Sequence, residues 1–252
     1  MNILLTNDDG VESNGILILA RVLRGTRKDN IFVLAPDKNR SGVSCGMSVF
    51  DPMMLSEKSQ GIWACTGLPV DCVIAAVLGG IPCKPDIIIS GINRGANMGN
   101  DIHYSGTVAA ARQGAMMGIP SIALSLNAFE NNYWEMAAQY SAEHLDEYIN
   151  MWESDIFINV NIPNNANGPD GMVFTWPAVK KYNDELTLFK GPDDRYCCYL
   201  NWGKDSVENQ SGTDWDAVSK NLVSVSHLAI HPVVRRDLCP NVPDYAAAGI
   251  RR

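Results

Sequence analysis

Along the first 160 residues the apolar positions switch repeatedly between strand-like and helical spacing. Asn2 to Thr6 is a short apolar run of strand length. Ile16, Leu19, Ala20 and Leu23 then recur at i, i+3, i+4 and i+7, one face of a helix that Ser13 or Asn14 can cap and Gly25 can end. Ile31 to Ala35 predicts a second strand, stopped by Pro36, and Ile62 to Thr66 a shorter one. Val70 to Leu78 predicts a helix beginning behind Pro69. Asp86 to Ser90, with three isoleucines, reads as a buried strand, Thr107 to Met117 as an alanine-rich helix, and Ser121 to Leu126 as another strand. Tyr133 to Trp152 predicts one long helix, and Ile156 to Asn161 closes the pattern before Pro163. This β-α-β-α alternation implies an α/β fold with a mainly parallel sheet and helices on both faces.

The pattern changes after Pro163. Residues 164–221 are rich in Asn, Asp, Gly and aromatics with weak periodicity, and only Leu222 to Leu228 predicts a clear strand. That composition suits an extended hairpin or oligomerisation arm packed on the first part, away from the chemistry. The expected organisation is a catalytic core over residues 1–163. Residues 164–252 form a C-terminal arm with closing strands, not an independent domain.

Composition narrows the classes. Of 252 residues, 46% are apolar and 19% charged, enough for a sizeable core and unlike a disordered chain. Twenty basic against 28 acidic side chains leave a net charge of −8, which argues against a long nucleic-acid groove. A phosphorylated substrate remains compatible where a metal or helix end reverses the sign locally. The opening Met1 to Asp9 carries no basic stretch before its apolar run, so no signal peptide is expected. No run approaches ~18 apolar residues, so no membrane span is expected either. The seven cysteines, Cys45, Cys65, Cys72, Cys83, Cys197, Cys198 and Cys239, show no C-x-x-C spacing. Zinc-ribbon and thioredoxin readings therefore fail, and reduced thiols in a cytoplasmic protein are expected.

In a parallel α/β sheet, ligands sit outside the carboxyl ends of the strands. Asn7, Asp8, Asp9 and Gly10 follow the first strand, Asp37 to Gly42 the second, and Gly91 to Asp101 the strand ending at Ser90. Oxygen-bearing side chains thus gather at the edge where a site belongs. Asp8 and Asp9 are adjacent carboxylates whose mutual repulsion a hard divalent cation would remove, with Ser41 and Asn93 offering neutral oxygens from neighbouring strand ends. Ser105-Gly106-Thr107 opens the alanine-rich helix, and its unpaired N–H groups and dipole favour a phosphate. A plain helix cap and an Asp-Asp-Gly turn are the simpler alternatives for these two segments. His103 is a candidate proton donor, although lone loop histidines are more often structural. Arg40 and Arg94 can steer a phosphate or merely face solvent. His144, His227 and His231 read as structural, and Met116, Met117, Tyr133, Trp134, Tyr140, Tyr148 and Trp152 as packing.

Four linked motifs resemble the SurE family of stationary-phase survival nucleotidases. They are Asn7-Asp8-Asp9-Gly10; Ala35-Pro36-Asp37 with Arg40-Ser41-Gly42; Thr66-Gly67 with Pro69 and Asp71-Cys72; and Ser90-Gly91-Ile92-Asn93 running to Tyr104-Ser105-Gly106-Thr107. Weaker echoes continue at Asn159 to Pro163, Gly212-Thr213-Asp214 and Val223-Ser224-Val225. The resemblance implies a Rossmann-like core and a C-terminal arm exchanged between subunits of a homodimer or homotetramer. It also implies a divalent-metal-dependent phosphatase for nucleoside 5′- or 3′-monophosphates, sometimes for short polyphosphate. By that resemblance one Mg²⁺ or Mn²⁺ per subunit is held by Asp8, Asp9, Ser41 and Asn93. Phosphate contacts fall on Asn93, Ser105, Gly106 and Thr107.

The expected reaction is metal-assisted hydrolysis, in which Asp8 and Asp9 hold the ion that activates the attacking water. An aspartyl-phosphate intermediate is an alternative route, and no residue stands out as the leaving-group acid. Two other classes fit less well. A signalling receiver domain needs an acceptor Asp after its third strand, where Gly67 stands, and a Lys after its fifth, where Asn127-Ala128 stand. A dinucleotide-dependent oxidoreductase needs G-x-G-x-x-G after the first strand, where the acidic pair stands instead.

Overall fold

The computed structural model describes residues 1–203, 206–207 and 210–232; Cys239 and the tail beyond Pro232 lie outside these. In chain order the first elements are β1 (Asn2–Thr6), α1 (Asn14–Thr26), β2 (Asn30–Pro36), β3 (Leu55–Ser59), β4 (Ile62–Cys65), α2 (Pro69–Val77) and β5 (Ile87–Arg94). A 3-10 turn at Gly99–His103 leads into α3 (Gly106–Met116), followed by β6 (Ser121–Asn127), α4 (Trp134–Glu143), α5 (Leu145–Asn150) and β7 (Ile156–Pro163). The remainder holds β8 (Met172–Phe174), β9 (Lys180–Lys181), β10 (Glu185–Lys190), β11 (Tyr196–Asn201), β12 (Ser206–Val207), α6 (Asp214–Ser219) and β13 (Val223–Ala229).

Nine strands form one sheet in the order β3-β4-β2-β1-β5-β6-β7-β13-β8. The six neighbouring strands from β4 to β7 run parallel, whereas β3 pairs antiparallel to β4, and β13 antiparallel to β7. The chain therefore starts mid-sheet, builds outward through β2 and β4, and then returns to lay β5 against the other side of β1. That reversal is a topological switch point, and it places the crevice outside the carboxyl ends of β1 and β5.

Alternation along the central strands supplies two faces. Ile3 and Leu5 point into a core shared with Ile16, Leu19 and Leu23 of α1 and Ala137 and Ala138 of α4. Leu4 and Ile88 point the other way, toward Cys72, Val73 and Ala76 of α2 and Ala110 of α3. Helices thus cover both faces, as the periodicity implied. Small residues set how closely the layers approach: a Cβ on Gly15, in the first turn of α1, would overlap the carbonyl oxygen of Ile92 at the end of β5.

The structure corrects three expectations. The predicted helix over Tyr133–Trp152 is two helices, broken at His144, whose backbone leaves helical geometry (φ −99, ψ 6) while its ring stacks on Tyr140 at 4.1 Å. The break lets Leu145 and Tyr148 of α5 turn into the core. Strand β5 runs on to Arg94 rather than stopping at Ser90, with a register irregularity against β6 between Ser90 and Asn93. Asn93 consequently stands on a strand end instead of in a loop. β3 was not predicted, since none of its residues is buried and no apolar alternation marks it.

Beyond Pro163, β13 inserts between β7 and β8, so the latter part of the chain completes the sheet begun by the first. β10 and β11 pair as an antiparallel hairpin whose residues are all exposed.

Gly15→Ala is expected to push α1 off β5 and destabilise the fold by about 1–3 kcal/mol, the usual cost of overpacking a filled interior. Urea unfolding checks it: an unchanged midpoint at unchanged slope would show that α1 and β5 have slack at this position.

Candidate active site

The turn after β1 is held by one side chain. Asn7 Nδ2 donates to the Gly10 carbonyl (2.9 Å) and to Ser13 Oγ (2.7 Å), while its Oδ1 accepts the Gly10 N–H (3.2 Å). Asp8 and Asp9 are thereby presented at the strand end in different directions.

Asp8 turns inward and is only 3% exposed. Its Oδ1 accepts the Thr107 hydroxyl (2.6 Å) and its Oδ2 the Thr107 N–H (3.1 Å). The Gly106 N–H also favours its charged form. Burial nevertheless dominates and raises the Asp8 pKa above the usual carboxylate value. The contact is close because residue 106 has no side chain: a Cβ there would lie 2.8 Å from Asp8 Cβ and 3.0 Å from its Oδ2. The N-terminus of α3 is therefore built directly onto the Asp8 carboxylate, where its dipole and free N–H groups favour negative charge.

Asp9 turns outward, its Oδ2 accepting the Arg94 N–H (2.9 Å). Partial burial raises its pKa as well, and the neighbouring Asp8 charge adds to that rise. Asn93, one residue before Arg94, donates its Nδ2 to the Gly95 carbonyl (2.8 Å), which leaves its carboxamide oxygen unengaged among the described residues. Ser41 is exposed on the loop after β2. That loop is tied to the site by Arg40 N–H donating to the Asp8 carbonyl (2.7 Å) and by Ser44, which donates its N–H to Tyr104 O (3.0 Å) and its hydroxyl to His103 O (2.6 Å). Ser105 caps α3 by accepting the Val108 N–H (3.1 Å), and its own O–H proton stays available.

Asp8, Asp9, Asn93 and the Ser105–Thr107 turn thus share one strand-end crevice. Both polar groups of Thr107 are spent on Asp8. His103 is exposed at the end of the 3-10 turn, with its carbonyl taken by Ser44. The Arg40 guanidinium donates to Thr66 O (2.8 Å) and Asp37 (3.2 Å), whereas Arg94 lines a 360 Å³ cleft together with Asp9. His227 packs edge-on against Phe174, and His231 is exposed. Among the described residues no three His, Cys, Asp or Glu side chains converge as metal ligands, so an ion here would need the neutral Ser and Asn oxygens.

Sequence reasoning missed a polar support beneath the loop from β5 to α3. Buried Asn97 donates its N–H to Asn161 Oδ1 (2.8 Å) and its Nδ2 to Ser125 Oγ (2.8 Å), and its carbonyl accepts the side chains of Asn159 and Asn161. Asp214, at the start of α6, accepts the N–H groups of Gly99 (2.7 Å) and Ala178 (2.9 Å). Burial raises the Asp214 pKa against these hydrogen bonds. Asp101 in the same loop accepts Lys180 Nζ (2.7 Å) and the Tyr182 hydroxyl (2.6 Å). The region after Pro163 therefore anchors the loop that leads into α3. Its signal in sequence was the pair Asn159 and Asn161, two polar positions on one face of an otherwise apolar strand, which burial obliges to find partners.

Residues 3–184 match the family model described as survival protein SurE. A 5′-nucleotidase SurE from Geobacter sulfurreducens is 39% identical over 236 residues, covering 90% of this chain and 87% of that protein. One from Rhodospirillum rubrum is 34% identical over 236 residues, covering 90% of each. The crystal structure of the SurE protein from Aquifex aeolicus superposes with a TM-score of 0.83 at 31% identity, over 98% of this chain and all of that one.

Asp214→Ala leaves the buried N–H groups of Gly99 and Ala178 unpaired and is expected to cost about 1–3 kcal/mol locally. Hydrogen exchange should show those two amides losing protection with the central strands unaffected. Unchanged protection at Gly99 would mean that the loop holds without the carboxylate.

Proposed function

The chain belongs to the SurE family, and from that premise we propose that it is a divalent-metal-dependent 5′-nucleotidase that also accepts nucleoside 3′-monophosphates. The observation that carries the reading is the buried Asp8 carboxylate, held by an α-helix N-terminus at the sheet's switch point beside a second, more open carboxylate. Two like charges side by side at a strand end repel each other, a cost that a bound cation removes.

The residues present suit a hard cation. Two carboxylates, a serine hydroxyl and a carboxamide oxygen make an all-oxygen donor set. Burial raises both aspartate pKa values, the Asp8 charge adds to the rise at Asp9, and a cation within their reach relieves that cost. Mg²⁺ or Mn²⁺ would be held by Asp8, Asp9, Ser41 and Asn93. When bound, such an ion supplies positive charge toward the phosphate and lowers the pKa of water.

The chain's own groups perform the rest. Asp9, the more open carboxylate, orients the attacking water and takes its proton. Ser105, which caps α3 through a lone pair, keeps its O–H for a phosphate oxygen, and the Asn93 carboxamide faces the same crevice. These donors oppose the charge that develops on the equatorial oxygens. Thr107 acts one step back, fixing Asp8. Short polyphosphate presents the same terminal group and is a further candidate substrate.

The exposed β10–β11 hairpin carries Leu186, Leu188, Phe189, Tyr196, Tyr199 and Leu200, all about half exposed or more. Apolar surface on that scale is what an interface covers, so the arm is read as joining subunits of a homodimer or homotetramer. Among the described residues no helix is long and apolar enough to cross a membrane, and the six described cysteines are unpaired. A cytoplasmic setting agrees with both.

Asp8→Asn and Asp9→Asn are each expected to lower phosphate release from nucleoside 5′-monophosphates about 10²-fold or more, with the fold retained. EDTA should abolish release by the unaltered protein, and Mg²⁺ or Mn²⁺ should restore it. Full turnover in either variant, or in EDTA, would refute the metal-centred reading.

Leu188→Glu with Leu200→Glu is expected to shift the mass measured by light scattering from dimer or tetramer to monomer. An unchanged mass would remove the hairpin from the interface.

A further inference from the structure

We propose that Cys65 and Cys72 form a redox pair that a hydroperoxide closes to a disulfide, clamping the turn beneath the loop after β2. This modification site lies outside the phosphatase chemistry and does not depend on it.

Cys65 ends β4, and Cys72 lies in the first turn of α2, seven positions on. Both side chains are fully buried in the core that α2 and α3 share with the sheet. The strand, turn and helix fold back so that the two sulfurs meet within hydrogen-bonding reach, the Cys72 thiol donating to Cys65. The Gly67 N–H, in the turn just ahead of α2, donates to Cys65 Sγ as well (3.2 Å). Negative charge on that sulfur is therefore met by two donors close to a helix N-terminus.

These contacts make the thiols unequal. The hydrogen bonds from Cys72 and Gly67 lower the Cys65 pKa to about 7, although burial and the Asp71 and Asp37 charges oppose them. Burial holds the Cys72 thiol well above its ordinary value. At neutral pH a substantial fraction of Cys65 is thiolate, the nucleophilic form, and its neighbour is protonated. A low-pKa cysteine beside a second that can resolve it is the arrangement that oxidises to a disulfide.

The Cys65 thiolate attacks the peroxide oxygen. An S–O bond forms, the O–O bond breaks, and the departing oxygen takes a proton to leave as water or an alcohol. Cys72 then attacks the sulfenic sulfur. The S–S bond forms, the S–O bond breaks, and the hydroxide leaves as water with the Cys72 proton. Two thiols lose two electrons in all, and the peroxide gains them. Thr66 is exposed, so Cys65 lies one residue beneath the surface, and local opening of the turn admits a molecule as small as hydrogen peroxide. The same turn holds the loop after β2 at two points. Thr66 O accepts the Arg40 guanidinium (2.8 Å), and Asp71 accepts the N–H (3.0 Å) and hydroxyl (2.8 Å) of Ser48. A bridge from Cys65 to Cys72 restricts the opening of both.

Non-reducing peptide mapping of the full chain after brief exposure to hydrogen peroxide tests the pair, with remaining thiols alkylated. A protease that cuts ahead of Asp71 separates the two cysteines, and fragment-ion sequencing distinguishes Cys72 from Cys83. The expected product is a Cys65–Cys72 bridge, lighter by two hydrogens than the reduced peptides and removed by dithiothreitol. Cys83, whose thiol pKa burial raises, should stay reduced. The rate should level off above about pH 7 rather than climb to the ordinary thiol range of about pH 8.5. The Leu68 and Ser48 amides, both donating to Asp71, should exchange severalfold more slowly in the bridged protein. Cys72→Ala should stop at the Cys65 sulfenic acid, which dimedone traps, and Cys65→Ala should leave Cys72 reduced. No bridge in the folded chain, a bridge that forms only in urea, or a rate still climbing at the ordinary thiol range would overturn the redox pair. Unchanged exchange at both amides in the bridged protein would overturn the clamp.

Discussion

A single buried carboxylate organises this molecule. Taking an ionised Asp8 out of water costs several kcal/mol unless it is paired and hydrogen-bonded. Here the partners are the hydroxyl and N–H of Thr107, with the Gly106 N–H adding to them. These bonds join the end of β1 to the start of α3, two elements about 100 residues apart in the chain. They do not fully offset the burial, because the Asp8 pKa stays raised. What remains is a buried carboxylate whose charge the surrounding groups do not fully balance, which is why the proposed cation is placed at this strand end.

The topology concentrates everything else on the same point. Because β1 and β5 are neighbours at the switch of strand order, the residues after each strand meet in one crevice. The Asp9 carboxylate reaches across it to the Arg94 N–H, so the second acid is placed by the partner strand rather than by its own turn. The loop that leads into α3 is then braced from below by Asn97, Asn159 and Asn161, and from the side by Asp101 and Asp214. The geometry at the start of α3 thus depends on elements as far apart in sequence as β1 and α6.

The sheet and its main helices were legible because apolar spacing is decided locally. The residues of β1, α1, β2, α3 and β6 announce their period within a few positions. The aspartate pair was equally legible, since adjacent like charges directly behind an apolar strand have few structural uses. Other features were not. The amphipathic spacing of Tyr133 to Trp152 continues through His144, so nothing local shows the break between α4 and α5. β3 buries none of its residues and leaves no pattern. Asp214 stands in sequence only as part of the Gly212-Thr213-Asp214 echo, and its bond to Gly99 spans 115 residues that only the tertiary fold brings together. The hydroxyl and the N–H of Thr107 both turn to Asp8, a direction that sequence spacing cannot convey.

The most direct measurement is anomalous diffraction at the manganese edge from crystals soaked in Mn²⁺. One strong peak is expected, at roughly 2.0–2.2 Å from carboxylate oxygens of both Asp8 and Asp9, and it should disappear in the Asp9→Asn protein. A peak elsewhere in the molecule, or none at millimolar Mn²⁺, would contradict the claim that this buried carboxylate exists to hold a cation.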